Sequence, residues 1–134
     1  MSKLAKHKAS IRAELLADHR RKGYYKDMVS PCEGQSYKLH YCNSGVQEMN
    51  EVIYSKQKFK GVPAKHKIQF YSVYNCSLNC RWFHTQHGHS RAFRDWFVER
   101  VVRIYGDEVL EWASSLPMTV NEELYRIRQL VEEL

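Results

Sequence analysis

Between Tyr74 and Phe93 the chain reads YNCSLNCRWFHTQHGHSRAF. These twenty residues hold Cys76 and Cys80, two of the four cysteines, and His84, His87 and His89, three of the seven histidines. Thiolate and imidazole are the ligands that zinc and related ions select. Asn75 stands at the head of the stretch, and an aromatic, basic helix begins at its tail. Soft donors crowded beside arginine suggest a metal ion next to an anion. Cys76, Cys80 and His84 follow one another at intervals of four, so on a helix they would share a face. A lone CxxxC is a weaker zinc pattern than paired CxxC motifs, and a lone histidine is more often a surface or hydrogen-bonded residue. Three imidazoles within six residues, next to two thiols, carry the metal reading.

The elements that must position these residues follow from periodicity. Residues 2–21 predict a helix rich in Ala, Leu, Lys, Arg and Glu, with Leu4, Ala5, Ile11, Leu15 and Leu16 on one apolar stripe. Gly23 ends it, and Tyr24-Tyr25 supply at least one core ring. Residues 29–36 form a loop. Residues 37–41 alternate as a strand, Asn43-Ser44-Gly45 makes a turn, and residues 46–55 return as the second strand of a hairpin. Residues 56–67 are a lysine-rich loop. After His89, Phe93, Trp96, Phe97, Val101 and Ile104 fall at helical spacing, with Ser90 as cap and Gly106 as stop. A short helix spans Asp107 to Ser114. Thr119-Val-Asn-Glu122 has the form of a capping box opening a last helix, with Leu124, Ile127, Leu130 and Val131 inward. Trp96, Phe97, Trp112 and Tyr125 read as core rather than base-stacking residues.

The whole chain sets bounds on partners. Its 134 residues suit one domain, 43% hydrophobic and 13% aromatic, which is enough to pack a core. Formal net charge is +6, unevenly spread. Residues 1–26 carry +6, the middle carries +5, and residues 107–134 carry −5. A polyanion would meet the first two-thirds of the chain, starting with a basic helical arm over residues 1–28. No apolar run reaches the ~18 residues a membrane span requires, and the basic N-terminus lacks the apolar core of a signal peptide. The expectation is an intracellular protein, cytoplasmic or in a host cytoplasm if phage-encoded, with no membrane partner. Its cysteines would be reduced or metal-bound.

With these residues in view, the segment from Asn75 to Gly88, N-C-S-L-N-C-R-W-F-H-T-Q-H-G, resembles the second half of an HNH (ββα-metal) endonuclease. That half reads Asn, then Cys-x-x-Cys-His, then His-Gly. The first half, a cysteine knuckle and a strand carrying His-His or His-Glu, resembles Leu39-His-Tyr-Cys42 and Met49-Asn50-Glu51-Val52. The helices after His89 resemble the tails of small phage-type members, and the likeness covers roughly residues 37–115. The resemblance implies an α+β fold: a β-hairpin plus helix core over residues 37–90, with the helical arm before it and helices from 90 to 134 after it. It implies a divalent ion (Mg, Mn, Ni or Zn) set against a scissile phosphate. His84 becomes the leading metal ligand, with His87, His89 and Asn50 beside it. Glu51 stands at the base position, Asn75 orients the loop and base, and His40 and His66 are further candidates. Arg91 and Arg94 would contact phosphate, as would Lys56, Lys58, Lys60, Lys65 and Lys67 between the two halves.

The chain also departs from the motif. Asn50 stands where a histidine is expected, and an amide cannot act as a general base near neutral pH. Leu39 and Phe83 stand where knuckle cysteines would be. Either Cys32, Cys42, Cys76 and Cys80 make an irregular structural zinc site, or Leu39 and Phe83 pack in place of the metal. Two functions follow. One is a metal-dependent DNA endonuclease or nickase. The other is a catalytically inactive HNH-derived protein that binds nucleic acid or inhibits a host protein partner.

Overall fold

The computed structural model describes residues 1–21, 30–38 and 40–134. Gly23, Tyr24, Tyr25 and Leu39 therefore lie outside the described residues, as does the end of the basic arm. The architecture is mixed α+β: a two-stranded antiparallel sheet with helical segments packed around it. Helix α1 spans Lys3–Ala17, shorter than the pattern predicted, and Asp18 caps it. The Ser2 hydroxyl accepts from the Ala5 amide at its start. Ile11 and Leu15 bury themselves in the core and Leu4 packs against it, whereas Leu16 is 41% exposed. The stripe is thus narrower than its apolar residues suggest.

The sheet differs from the expected hairpin. Gly34–Tyr37 forms a single helical turn, α2, and no strand precedes residue 48 among the described residues. Strand β1 (Glu48–Glu51) pairs with β2 (Cys76–Asn79) rather than with residues 37–41. The alternation at 37–41 has other uses. Tyr37 packs edge-on against Phe83, Phe93 and Trp96, and His40 turns toward a cysteine cluster. Strand β2 is buried at all four positions, so the apolar–polar alternation of Cys76, Ser77, Leu78 and Asn79 does not mark a solvent face. The connection between the strands contains two more one-turn helices, α3 (Lys56–Phe59) and α4 (Ala64–Lys67), where the sequence suggested only a loop, and then a 3-10 turn over Ile68–Phe70.

Helix α5 (Arg81–Gln86) follows β2 directly. The expectation that Cys76, Cys80 and His84 share a helical face fails, because Cys76 lies in a strand and Cys80 is the cap that precedes α5. Helix α6 (Arg91–Tyr105) begins at Ser90, whose hydroxyl accepts from the Phe93 amide, and stops at Gly106. Gly106 takes φ +60, a conformation open to glycine and costly to other residues. Helix α7 (Asp107–Ser114) matches its predicted span.

Helix α8 (Leu124–Glu132) starts later than the Thr119 capping box implies. Met118–Val120 instead forms a 3-10 turn, and the Asn121 amide donates to the Ala113 carbonyl at 2.7 Å. This bond and one from the Tyr54 hydroxyl hold Asn121 against α7 and the β1–β2 connection. Phe93, Phe97, Val98 and Val101 of α6, Val109 of α7 and Ile127 of α8 are fully buried. Tyr125, expected in the core, is 68% exposed.

Candidate metal centre and the adjoining polar site

Cys32, His40, Cys42 and Cys80 bring their donor atoms within 4.8 Å of one another. All three cysteines are buried and none is disulfide-bonded. The Cys80 amide donates to the Cys32 sulfur at 3.3 Å, and the Cys80 sulfur lies 3.4 Å from His40 Nε2. Three thiols and one imidazole are a donor set that zinc takes in closed structural sites, so this cluster can hold such an ion. Its electrostatics suit a cation. Burial pushes the Cys32 thiol up to about 12, so only a nearby positive charge would make it a thiolate readily. Burial opposes ionisation of Cys42 too. There, hydrogen bonds from the Ser30 and Cys80 side chains and the Ser44 amide outweigh it and hold the thiol below its usual value. Burial, with His87 and Lys38 adding to it, lowers His40 and favours the neutral ring that coordinates metal.

The cluster differs from the expected four-sulfur site by one exchange. Cys76 is outside it and His40 is inside. By strand alternation Cys76 shares a sheet face with Glu51, its cross-strand partner. Burial first, then the Glu51 charge, raises its thiol to about 12. Phe83 does fill the core as the apolar alternative proposed. Its ring sits where a Gly34 side chain would be, 2.4 Å from the ideal Cβ position.

Two features that sequence reasoning missed assemble the cluster. Gln35 is buried and braces three segments. Its amide donates to the Ser30 and Cys32 carbonyls, each at 3.0 Å, and its oxygen accepts from the Cys42 amide at 3.2 Å. Arg21, read from sequence as part of a cationic surface, is only 2% exposed. It pairs with Glu33 at 2.5 Å and donates to the Cys76 carbonyl at 3.1 Å. The Glu33 amide in turn donates to the Leu78 carbonyl at 2.8 Å, which locks the Cys32 loop onto β2. Neither a polar residue in an apparent loop nor an arginine at the end of a cationic helix gave a sequence signal for these roles.

A second site lies on the sheet face that carries Glu48, Asn50, Ser77 and Asn79. All but Glu48 are buried. The Asn50 amide donates to Asn79 Oδ1 at 3.1 Å and to the Gly88 carbonyl at 2.8 Å. His84, on α5, directs Nδ1 at a Glu48 carboxylate oxygen 3.0 Å away. The His84 hydrogen bond is the main cause holding the Glu48 carboxyl below its usual range, with Arg81 adding to it. A ring that donates from Nδ1 presents a lone pair at Nε2. That atom is buried with no hydrogen-bond partner, and so is Asn50 Oδ1. Asn50 Nδ2 and His84 Cδ2 each lie within 2.9 Å of the point a Gly88 Cβ would occupy, so the absence of a side chain there lets the two residues approach. The His89 ring packs 4.8 Å from His84, centroid to centroid.

The remaining expected residues separate. His87 lies against Tyr37, Trp82 and Phe83, with Lys38 3.5 Å from its Nε2, and so does not join His84. Glu51 projects from the opposite sheet face to Asn50 and reaches a cleft of about 490 Å³ that it shares with Lys56, Gly88, His89, Ser90 and Arg94. Asn75 is fully buried. Its oxygen accepts from the Tyr54 amide at 2.8 Å, and its amide donates to the Tyr54 and Phe70 carbonyls, each at 3.0 Å. It braces the β1–β2 connection and touches no open site. Lys60 and Lys65 are exposed, Lys67 is half-buried, and Lys58 is tied to Glu122 at 3.1 Å. Arg91 is 85% exposed at the start of α6.

Comparison of the chain with protein-family models, curated proteins and solved structures finds no match. No described helix is long and apolar enough to cross a membrane.

Proposed function

We propose that the protein is a metal-dependent DNA endonuclease or nickase of the HNH type, held together by a structural zinc ion at Cys32, His40, Cys42 and Cys80. One observation carries this reading: His84 is fixed through Nδ1 by a carboxylate while its Nε2 is buried and unpartnered, as is the side-chain oxygen of Asn50, which meets His84 at Gly88. A carboxylate that orients a histidine through one nitrogen is the usual outer partner of a metal-bound imidazole. The donors fit a divalent ion: one imidazole nitrogen and one amide oxygen. Strand, long connection, strand and helix also come in the order a ββα unit requires.

When bound, the ion would stabilise charge on the scissile phosphate and the leaving oxygen. The chain's own residues do the rest. Glu48 holds the His84 ring in one tautomer and one orientation. Arg94 and Lys56 line the cleft and hold the phosphodiester. Glu51, in the same cleft, takes the proton from the attacking water, since the Asn50 amide has no basic lone pair for it. Asn75 keeps the connection that bears this cleft in register. Supercoiled plasmid incubated with Mg²⁺, Mn²⁺, Ni²⁺ or Zn²⁺ tests the proposal. Nicking that His84→Ala abolishes, with the fold retained, is the expected result. No nicking with any of the four ions sinks it.

The second reading is a catalytically inactive relative that binds nucleic acid or inhibits a host protein. The Asn50 side chain favours it, because both amide hydrogens are taken by Asn79 and Gly88 and none of its atoms can accept a proton near neutral pH. DNA binding without cleavage, weakening steeply with salt, is its signature.

A further inference from the structure

Trp82 is 51% exposed on α5, and its position is not accidental packing. Its ring lies 4.8 Å from His40 with the planes 31° apart, and the His87 ring meets it edge-on at 5.7 Å. His40 is itself held by the cysteine cluster, with Cys80 3.4 Å from its Nε2. An indole supported on two sides by imidazoles is a fixed plate with an open surface. Cations flank it. Lys38 is exposed beside His87, and the Arg81 side chain is 86% exposed at the neighbouring position. The nearby carboxylate, Glu48, is engaged by His84 and Arg81. Tyr41, next to His40 in the chain, is 74% exposed.

An exposed aromatic plate can dock an apolar protein surface or a base. The charge around it decides between them. Lys38 and the largely exposed Arg81 are cationic, and the neighbouring carboxylate, Glu48, is already paired with His84 and Arg81, which suits a polyanion whose bases carry apolar faces. We infer that Trp82 is the stacking platform for an unpaired base of single-stranded or branched DNA, with Arg81 and Lys38 on the adjoining phosphates. The inference rests on the nuclease reading and sharpens its substrate: DNA with unpaired bases beside the scissile duplex. It also gives the zinc centre a second task, since the metal ligand His40 backs the plate.

Titration of the zinc-loaded protein with oligothymidylate, followed by tryptophan fluorescence, tests this. Stacking on Trp82 quenches emission. Trp82→Ala should weaken binding at least about fivefold, while Trp82→Phe retains most of it and both variants keep their zinc. A bromodeoxyuridine oligonucleotide should photocrosslink to wild type at Trp82 or Tyr41, a readout independent of any variant's folding. Unchanged affinity in Trp82→Ala, or crosslinks confined to other residues, overturns the platform. Duplex binding that Arg94→Ala weakens would leave the nuclease reading standing in that case. Failure to bind either single strand or duplex overturns both.

Discussion

The two polar sites in this protein sit at opposite ends of one short helix and were built by different rules. At the start of α5, Cys80 joins Cys32, His40 and Cys42, four donors from three stretches of chain that point at one another. One turn further on, His84 faces Glu48 and Asn50, where nearly every polar atom has a protein partner and just two buried ones are left over. The first site declares itself by convergence. The second declares itself by what hydrogen bonding leaves unsatisfied, since a buried acceptor without a partner costs about 1–3 kcal/mol and calls for an explanation. The shared helix links them: a metal held by Cys80 would pin the cap of the segment that aims His84.

The largest expected effect separates cluster ligands from the cysteine that sequence placed among them. Cys80→Ser and Cys32→Ser should lose bound zinc and a large part of the roughly 10 kcal/mol that structural zinc gives small domains. Cys76→Ala should keep full metal content and cost about 1 kcal/mol. Elemental analysis with thermal melts reads both quantities, and zinc loss from Cys76→Ala would return that residue to the site.

Next comes Asn75→Ala, which strands the Tyr54 amide and two carbonyls in the core and should cost on the order of 3 kcal/mol in urea unfolding. An effect below about 1 kcal/mol would deny its bracing role. Gly34→Ala drives a methyl group into the Phe83 ring and should cost about 1–3 kcal/mol. It tests whether Phe83 packs directly against Gly34, and a neutral substitution would argue that it does not.

The smallest effect belongs to the second site and is one of pH. The His84 hydrogen bond lowers the Glu48 carboxyl in the fold relative to the unfolded chain. The unfolded state therefore binds the proton more tightly. This pair stabilises the fold fully above the unfolded carboxyl's pKa of about 4.3, and the contribution disappears as pH falls through the lower folded value. Glu48→Gln should narrow the stability difference from wild type as acid is added. A difference that stays constant between about pH 6 and pH 3 would remove the Glu48–His84 link on which the metal-orienting argument depends.

Local order was legible in the residues. The caps and apolar spacing of α6 and the span of α7 follow from contacts three and four residues apart, which the sequence prints side by side. The interest of His84 and its neighbours was also visible from residue type alone. The strand pairing was not, because β2 is only four residues long and buried on both faces, and its partner lies a long connection away. Nor was the exchange of Cys76 for His40. Whether a thiol points into a cluster or into the core depends on which sheet face its register gives it, and a one-residue shift reverses that. Residue types alone thus raised metal and phosphate binding as the chemistry to look for. Only the tertiary structure decided which donors meet, because convergence is set by long-range packing such as the buried Arg21–Glu33 pair and the Gln35 brace, which leave no periodic trace in the chain.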